Sequence, residues 1–410
     1  MDELNTPQPG QQQPPQQPNT PPKKKRGRFF VRLILFLVAL AMVLCAVALV
    51  AFRDTLNLDA VKRWFHYRAL VLSDSGQAEA FLYDGELTDT FAVLDGDLLV
   101  CSKNAISLYS GSGTRYVSQA VSLDNPVVDT NGSLAVVYDA GGTSLYVLGQ
   151  RELIWSARDL EPILAARLNR NGQLTVVTQA RGHRGAVTVY DAAYQPVMSV
   201  RISTAFVMDA ALSDDGHTLA ILTIGQEEGD FSSSLSLYTL NSAAGPVEES
   251  TDFVPEQTFD LGGNVILSLR HTPEQVWALG ERGLSILSHD GSAAYADWSD
   301  RYLKSYDLSG DDFAVSLLGK YRAGSQAILL STNWNGEAIG HMDINEQVLS
   351  LSVAGDYVAL LTGDRLDIYT RDLSLYASLD GTQGARKVLL MEDGSAILIS
   401  ADSASFYVPA

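Results

Sequence analysis

A tight turn flanked by two short apolar strands recurs along this chain about every 40–50 residues, the spacing of propeller blades, each of which is a four-stranded antiparallel sheet. The turns are Asp95-Gly96, Asn131-Gly132, Asn171-Gly172, Asp215-Gly216, Pro273-Glu274, Gly310-Asp311, Gly355-Asp356 and Asp393-Gly394. Most of these pairs supply the positive φ that two-residue hairpins require. A second strand follows each turn. A third comes next and usually carries a tyrosine, at Tyr109, Tyr146, Tyr190, Tyr238, Tyr369 and Tyr407. The units with third strands near Ile286 and Leu329 lack that tyrosine, and the Pro273 turn lacks its glycine, so the repeat is degenerate. No long stretch of helical periodicity intervenes, which makes the fold class all-β.

First strands near Phe91, Val127, Ile163, Phe206, Val265, Tyr302, Val348 and Lys387 define a single β-propeller of about eight four-stranded blades, with seven as the alternative count. The last unit has only three strands before Ala410. Residues 77–83 (QAEAFLY) form a free strand ahead of the first unit and are expected to complete the last blade. Such closure by an N-terminal strand ties the ends of the ring together and removes exposed sheet edges. The spacing stretches most between Gly216 and Pro273, where the acidic segment 241–257 reads as a loop inserted in blade four.

Ahead of the propeller, assigned to residues 71–410, lie three further segments. Residues 1–28 are rich in Pro and Gln, too poor in apolar groups to offset the entropy of ordering a chain, and end in the basic cluster Lys23-Lys24-Lys25-Arg26-Gly27-Arg28. Residues 29–52 are apolar except for Arg32, and the uncharged stretch 33–52 is long enough as a helix to cross a hydrocarbon core. One transmembrane helix is therefore expected there, with the lipid bilayer as its partner. A cleaved signal peptide, the rival reading, has a shorter apolar region. Six basic residues from Lys23 to Arg32 against four after the span put the N-terminus in the cytoplasm. Residues 53–70 place Leu58, Val61, Trp64 and Phe65 at helical spacing. They form a neck helix whose role is either lipid contact, through Trp64 and Lys62, or capping of the propeller.

The net charge of −19 is unevenly placed. Residues 1–68 hold 10 of the 29 basic and 4 of the 48 acidic side chains, leaving 19 and 44, or −25, for the rest. A surface of that sign repels phosphate backbones and excludes nucleic acid as a partner of a basic face. Cys45 lies inside the apolar span and Cys101 inside a strand, so neither a disulfide framework nor a cysteine zinc site is available.

The repeat with its joined ends resembles quinoprotein-like eight-bladed propellers and the outer-membrane assembly factor BamB in architecture, without a repeated tryptophan-docking signature. The whole layout of Pro/Gln tail, basic cluster, one span, Lys62-Arg63-Trp64 neck and degenerate propeller resembles a family of single-pass membrane proteins of Gram-positive clostridia. That resemblance implies an extracytoplasmic propeller and carries no assigned activity.

No nucleophile elbow, His-Glu-x-x-His, phosphate loop or metal-spaced cysteine pair is present, and no helix follows the Gly111-Ser112-Gly113 triplet as a dinucleotide site requires. The histidines His66, His183, His217, His271, His289 and His341 are dispersed. The acidic turns Asp95-Gly96-Asp97, Asp214-Asp215-Gly216 and Asp311-Asp312 offer oxygen ligands of the kind calcium takes, but their recurrence at one hairpin position assigns them to turn chemistry. Asn131-Gly132-Ser133 matches a glycosylation acceptor and is expected to be unmodified. Asp129, Asp209 and Asp307 fall near the ends of first strands, where they either shape an acidic pore or serve as solvent-facing strand ends.

No catalytic, cofactor-binding or metal-binding residue is assigned. The expected function is a non-enzymatic binding or scaffold module for an envelope protein or cell-wall component. A propeller enzyme, either a hydrolase or a quinone-dependent dehydrogenase with its site at the channel mouth, is the alternative and requires convergent polar side chains. A surface sensor is a third reading.

Overall fold

A computed structural model describes residues 32–40, 42–43, 59, 63, 67–68, 70–227, 229–240, 249–250 and 254–409. The short Val-, Ile- and Leu-rich runs pair into eight separate sheets among these residues, each with an antiparallel set of four strands that starts from an inner first strand. The inner strands are Thr90–Leu94, Pro126–Thr130, Ile163–Leu168, Phe206–Leu212, Ile266–His271, Tyr302–Asp307, Ser350–Ala354 and Lys387–Leu390, in blades 1 to 8. They begin within about two residues of the positions expected from the turns, and the count of eight removes the seven-bladed alternative.

Eight apolar clusters hold the ring, and each lies between two adjacent blades. Side chains alternate across a strand, so both faces of every blade must be covered by a neighbour. The repeated tyrosines serve this packing: Tyr109, Tyr146, Tyr238 and Tyr407 are all buried. The eighth cluster joins blade 8 to blade 1 through Ile397, Ile399 and Phe406 against Leu98, Val100 and Tyr109. Residues 77–83 close the ring as expected. Phe81–Leu82 pairs antiparallel with Ser403–Tyr407, matching Phe81 to Ala404 and Leu82 to Ser403, and becomes the outermost strand of blade 8.

Two expectations are corrected. Only two of the eight are two-residue hairpin turns as expected, Asp95-Gly96 (φ 51° and 77°) and Gly355-Asp356 (Gly355 φ 54°), since Leu94 pairs directly with Asp97 and Ala354 with Tyr357. The turns of blades 2, 3 and 4 are longer and are held by side chains: the Asn131 Oδ1 accepts the Ser133 and Leu134 N–H groups, Asn169 Oδ1 accepts Gln173 N–H, and Ser213 Oγ accepts Thr218 N–H. The segment inserted in blade four also does not stay with that blade. Glu249–Ser250 pairs in parallel with Pro196–Ile202 and forms a fifth strand on the outer edge of blade 3. Residues 241–248 and 251–253 lie outside the described residues.

Among the described residues no helix is long and apolar enough to cross a membrane. Of the expected span 29–52, residues 32–40 and 42–43 are helical with exposed apolar side chains. The remainder of that span and the tail 1–28 lie outside the described residues. In the neck, Asp59, Arg63 and Tyr67 are described and helical, spaced four apart so that they share a face. Lys62 and Trp64 lie outside the described residues.

Candidate functional site

Two sets of loops ring the channel. The turns between first and second strands mark one face, called here the back, and the starts of the inner strands mark the front. Midway between them, the structure brings two of the three channel acids onto one arginine. Arg167, on the inner strand of blade 3, donates from Nε at 2.9 Å and from Nη2 at 2.6 Å to the two carboxylate oxygens of Asp209 on blade 4. Its Nη1 lies 3.9 Å from Asp129 on blade 2. Asp129 also accepts the Leu168 N–H at 2.8 Å.

The expected acidic pore is therefore corrected: a guanidinium stands between two carboxylates and stitches three consecutive blades. Asp129 keeps 27% of its side chain accessible, the exposure of a group that touches a narrow lumen but is surrounded by protein. Desolvation pushes its carboxyl above the ordinary range, opposed by the Arg167 charge and the Leu168 N–H. Burial raises the pKa of Tyr306 on blade 6, with lesser opposing effects from the Arg167 and Asp209 charges, and its hydroxyl donates to the Leu267 carbonyl at 3.4 Å. Asp307 stands apart, accepting the Ser309 N–H at 2.9 Å and the blade 7 Val353 N–H at 2.8 Å. Arg167 escaped the sequence reading, and its signal was a lone cation in an otherwise apolar inner strand.

The back mouth is crossed by a second set of charges. Arg170 lies 3.5 Å from Asp214 on blade 4 and 3.4 Å from Asp311 on blade 6, three blades away. Arg270 of blade 5 donates to the carbonyls of Leu308, at 2.6 Å, and Gly310. Burial and then the Arg170 charge lower the Arg270 pKa. The acidic turns thus meet arginines: Asp214 and Asp311 meet Arg170, and Asp97 accepts the Arg151 Nε at 2.8 Å. Asn131 uses its amide nitrogen on the Asn169 carbonyl at 2.8 Å, a contact between blades 2 and 3. Among the described residues, no three His, Cys, Asp or Glu side chains are placed to hold a metal ion. Cys101 is fully buried, which pushes its thiol pKa up.

Two histidines do come together. His271, at the end of the blade 5 inner strand, donates from Nδ1 to the Ala211 carbonyl of blade 4 at 2.8 Å, because a carbonyl can only accept. Its Nε2 is then the acceptor for the His289 Nε2–H at 2.9 Å. The ring centroids are 5.2 Å apart at an interplanar angle of 87°, so the rings meet tip to tip rather than converging on a third point. The arrangement is a hydrogen-bonded latch between blades. Of the other histidines, His183 lies 2.8 Å from Ser203 Oγ, His217 lies 3.5 Å from Asp215, and His66 is outside the described residues.

The latch has a pH signature. Desolvation by burial pulls His271 from 6.5 down to about 4. The unfolded chain therefore binds this proton first, and stability is lost as pH falls from about 6.5 towards 4, by roughly 3 kcal/mol at most. Urea midpoints measured across that range are expected to fall less steeply for His271→Asn, whose amide retains a donor near Nδ1 but does not titrate. An unchanged slope would remove His271 from the account.

No curated protein matches the chain. The C-terminal WD40 domain of Sif2 shares its fold at 12% identity and a TM-score of 0.54, over 80% of this chain and 100% of that domain. BamB from Moraxella catarrhalis matches at 15% identity and a TM-score of 0.48, over 82% of this chain and 100% of its own. Hydrazine synthase from Kuenenia stuttgartiensis matches at 13% identity and a TM-score of 0.41, over 82% and 97%. Identities this low speak to architecture alone, since one propeller scaffold hosts unrelated functions. The family of unknown function DUF5711 has a model that matches residues 81–405, the whole ring from closing strand to last blade, and the chain belongs to that family.

Proposed function

We propose that the chain is a single-pass membrane protein, with its N-terminus in the cytoplasm and its propeller outside, that acts as a non-enzymatic binding or scaffold module for an envelope protein or cell-wall component. The anchor rests on the uncharged apolar stretch 33–52 and the basic cluster before it. The observation that carries the platform reading is the docking of the neck. Arg63 is 2% exposed and donates to the Tyr376 hydroxyl at 2.8 Å and to the Asp393 carbonyl. Tyr357 donates to Asp59 at 3.0 Å, and the Tyr67 hydroxyl lies 2.8 Å from Ser395 Oγ inside the apolar cluster of blades 8 and 1.

These contacts favour the capping role of the neck over lipid contact. All three residues grip the back side of blades 7 and 8. None of these contacts falls on the front side.

The enzymatic reading stays second, favoured by the convergence of Arg167, Asp129 and Asp209 in the channel. Against it, Arg167 directs two donors at Asp209 and Asp129 is committed to a backbone N–H, which is the pattern of a structural lock. The full chain used as bait in envelope extracts is expected to capture a specific partner, compared with a chain lacking residues 241–257 as a control. Repeated captures without a specific partner would overturn the reading.

A further inference from the structure

In a regular inner strand, side chains point alternately into the two interfaces flanking the blade and little is left for the lumen. Blades 1, 2, 7 and 8 obey this, with unbroken register between first and second strands. In blades 3 to 6 each inner strand instead carries one residue more than its partner: between Ile163 and Ala165, Val207 and Asp209, Ile266 and Ser268, and Leu303 and Ser305. The unpaired residues are Leu164, Met208, Leu267 and Lys304, each within the first three residues of its strand.

A bulge turns a side chain off both sheet faces. Leu164, Met208 and Leu267 are accordingly 37%, 48% and 43% exposed, while Ile163, Val207 and Ile266 just before them are buried. The interfaces are filled without the bulged residues, so blade packing does not explain three large apolar side chains on the lumen. Phe206, Val265 and Tyr302, at the starts of these strands, extend the exposed apolar arc. The blade 4 hairpin of Thr218–Glu227 and Asp230–Thr239 runs past Phe206 and carries the exposed Phe231.

Three cations stand on this arc, alongside the exposed Asp230 next to Phe231 at the hairpin tip. The guanidinium of Arg184 lies 4.5 Å from the Phe206 ring centre, that of Arg322 lies 5.9 Å from Tyr302, and Lys304 is itself the fourth bulged residue. They stand out on a body that carries −25 overall by the count above. Apolar side chains interleaved with cations in this way complement a segment that alternates apolar groups with carboxylates.

We propose that the front mouth over blades 3 to 6 docks an extended peptide segment of a partner protein, apolar where it meets Leu164, Met208 and Leu267 and carrying a carboxylate towards Lys304. This rests on the reading of the propeller as a binding module and adds the surface and the chemistry of its partner. The bulges are then functional features that aim anchors into the mouth, and the cations select the sign of the segment.

The test is selection of a random-peptide display library on the full chain in lipid nanodiscs. Enriched peptides are expected to combine apolar residues with Asp or Glu. Met208→Asp and Leu267→Asp are each expected to weaken their binding roughly tenfold or more. Lys304→Glu should shift the selection from acidic to basic peptides. Because Met208 and Leu267 are exposed, urea midpoints of those two variants should match the parent, which separates lost binding from lost folding.

Three results overturn the proposal: selected peptides that bind the Met208→Asp and Leu267→Asp chains as well as the parent, a selection without acidic preference, or phosphatidylglycerol vesicles that occupy the mouth with the same dependence on these residues. An envelope partner captured equally by the parent and by Met208→Asp ends this proposal and leaves the binding-module reading standing. Acidic apolar peptides selected at the mouth, with no envelope partner captured, count against the envelope partner and not against the surface.

Discussion

A chain lacking residues 77–83 is expected to lose cooperative folding, and Phe81→Ala alone to cost about 3 kcal/mol in urea denaturation. Phe81 is 9% exposed, with ring centres 6.1 Å from Tyr109 on blade 1 and 6.5 Å from Phe406 on blade 8. A side chain at Gly113 would collide with it, so the site is filled to contact. Deleting the strand removes Ala78, Phe81 and Tyr83 from the cluster at the seam and bares the Ser403–Tyr407 edge to other chains. Loss of the single strand Phe81–Leu82 therefore weakens the interface that turns a stack of blades into a ring. A Phe81→Ala change worth less than about 1 kcal/mol, or a deleted chain that stays monomeric with the parent's midpoint, would show that the seam is held elsewhere.

The second large effect is Arg167→Met. Removing the guanidinium leaves Asp129 and Asp209 facing each other without a cation, and losing one partner of such a buried group typically costs about 3–5 kcal/mol. The loss depends on pH, and its sign follows from Asp129, whose carboxyl is already raised by desolvation. A raised folded pKa means that the folded state binds the proton more readily than the unfolded one. Lowering the pH through that value therefore stabilises the fold. The gap between variant and parent should be widest at neutral pH and narrow as the pH falls towards 4. Adding Asp129→Asn and Asp209→Asn to Arg167→Met should recover most of the loss. A deficit that stays constant with pH would mean that Arg167 matters for its packing and not for its charge.

Both predictions concern seams between blades, and the side-chain chemistry across a seam is where sequence reading succeeded least. The repeat of turn and strand was legible because each blade is largely a local object: its first three strands are consecutive, and its turns are mostly marked by Gly, Asn and Asp within a few residues. The closing strand was legible by subtraction, since the last unit was one strand short and residues 77–83 were unassigned. Of the neck, only Asp59, Arg63, Tyr67, Arg68 and Leu70 are among the described residues. The face shared by Asp59, Arg63 and Tyr67 was not legible, because they find partners some 300 residues away on blades 7 and 8.

Asp129, Asp209 and Asp307 were picked out correctly as inner-strand acids, but their chemistry was misread. Their position within a repeat is a property of one strand, while the arginine between two of them belongs to another. The histidine latch hides for the same reason, since His271 answers to a carbonyl on blade 4. The four bulges are harder still. A bulge is a mismatch in length between two paired strands, and neither strand announces it alone.

The sequence by itself determined the class of fold, the number of repeating units and the way the ends meet, because each depends on residues close along the chain or on simple counting. Only the tertiary structure decided which side chains face the lumen, which charges cancel and which blades Asp59, Arg63 and Tyr67 reach. Those outcomes depend on what the neighbouring blade presents across a gap of a few ångströms, and a chain read one residue after another carries no record of that distance.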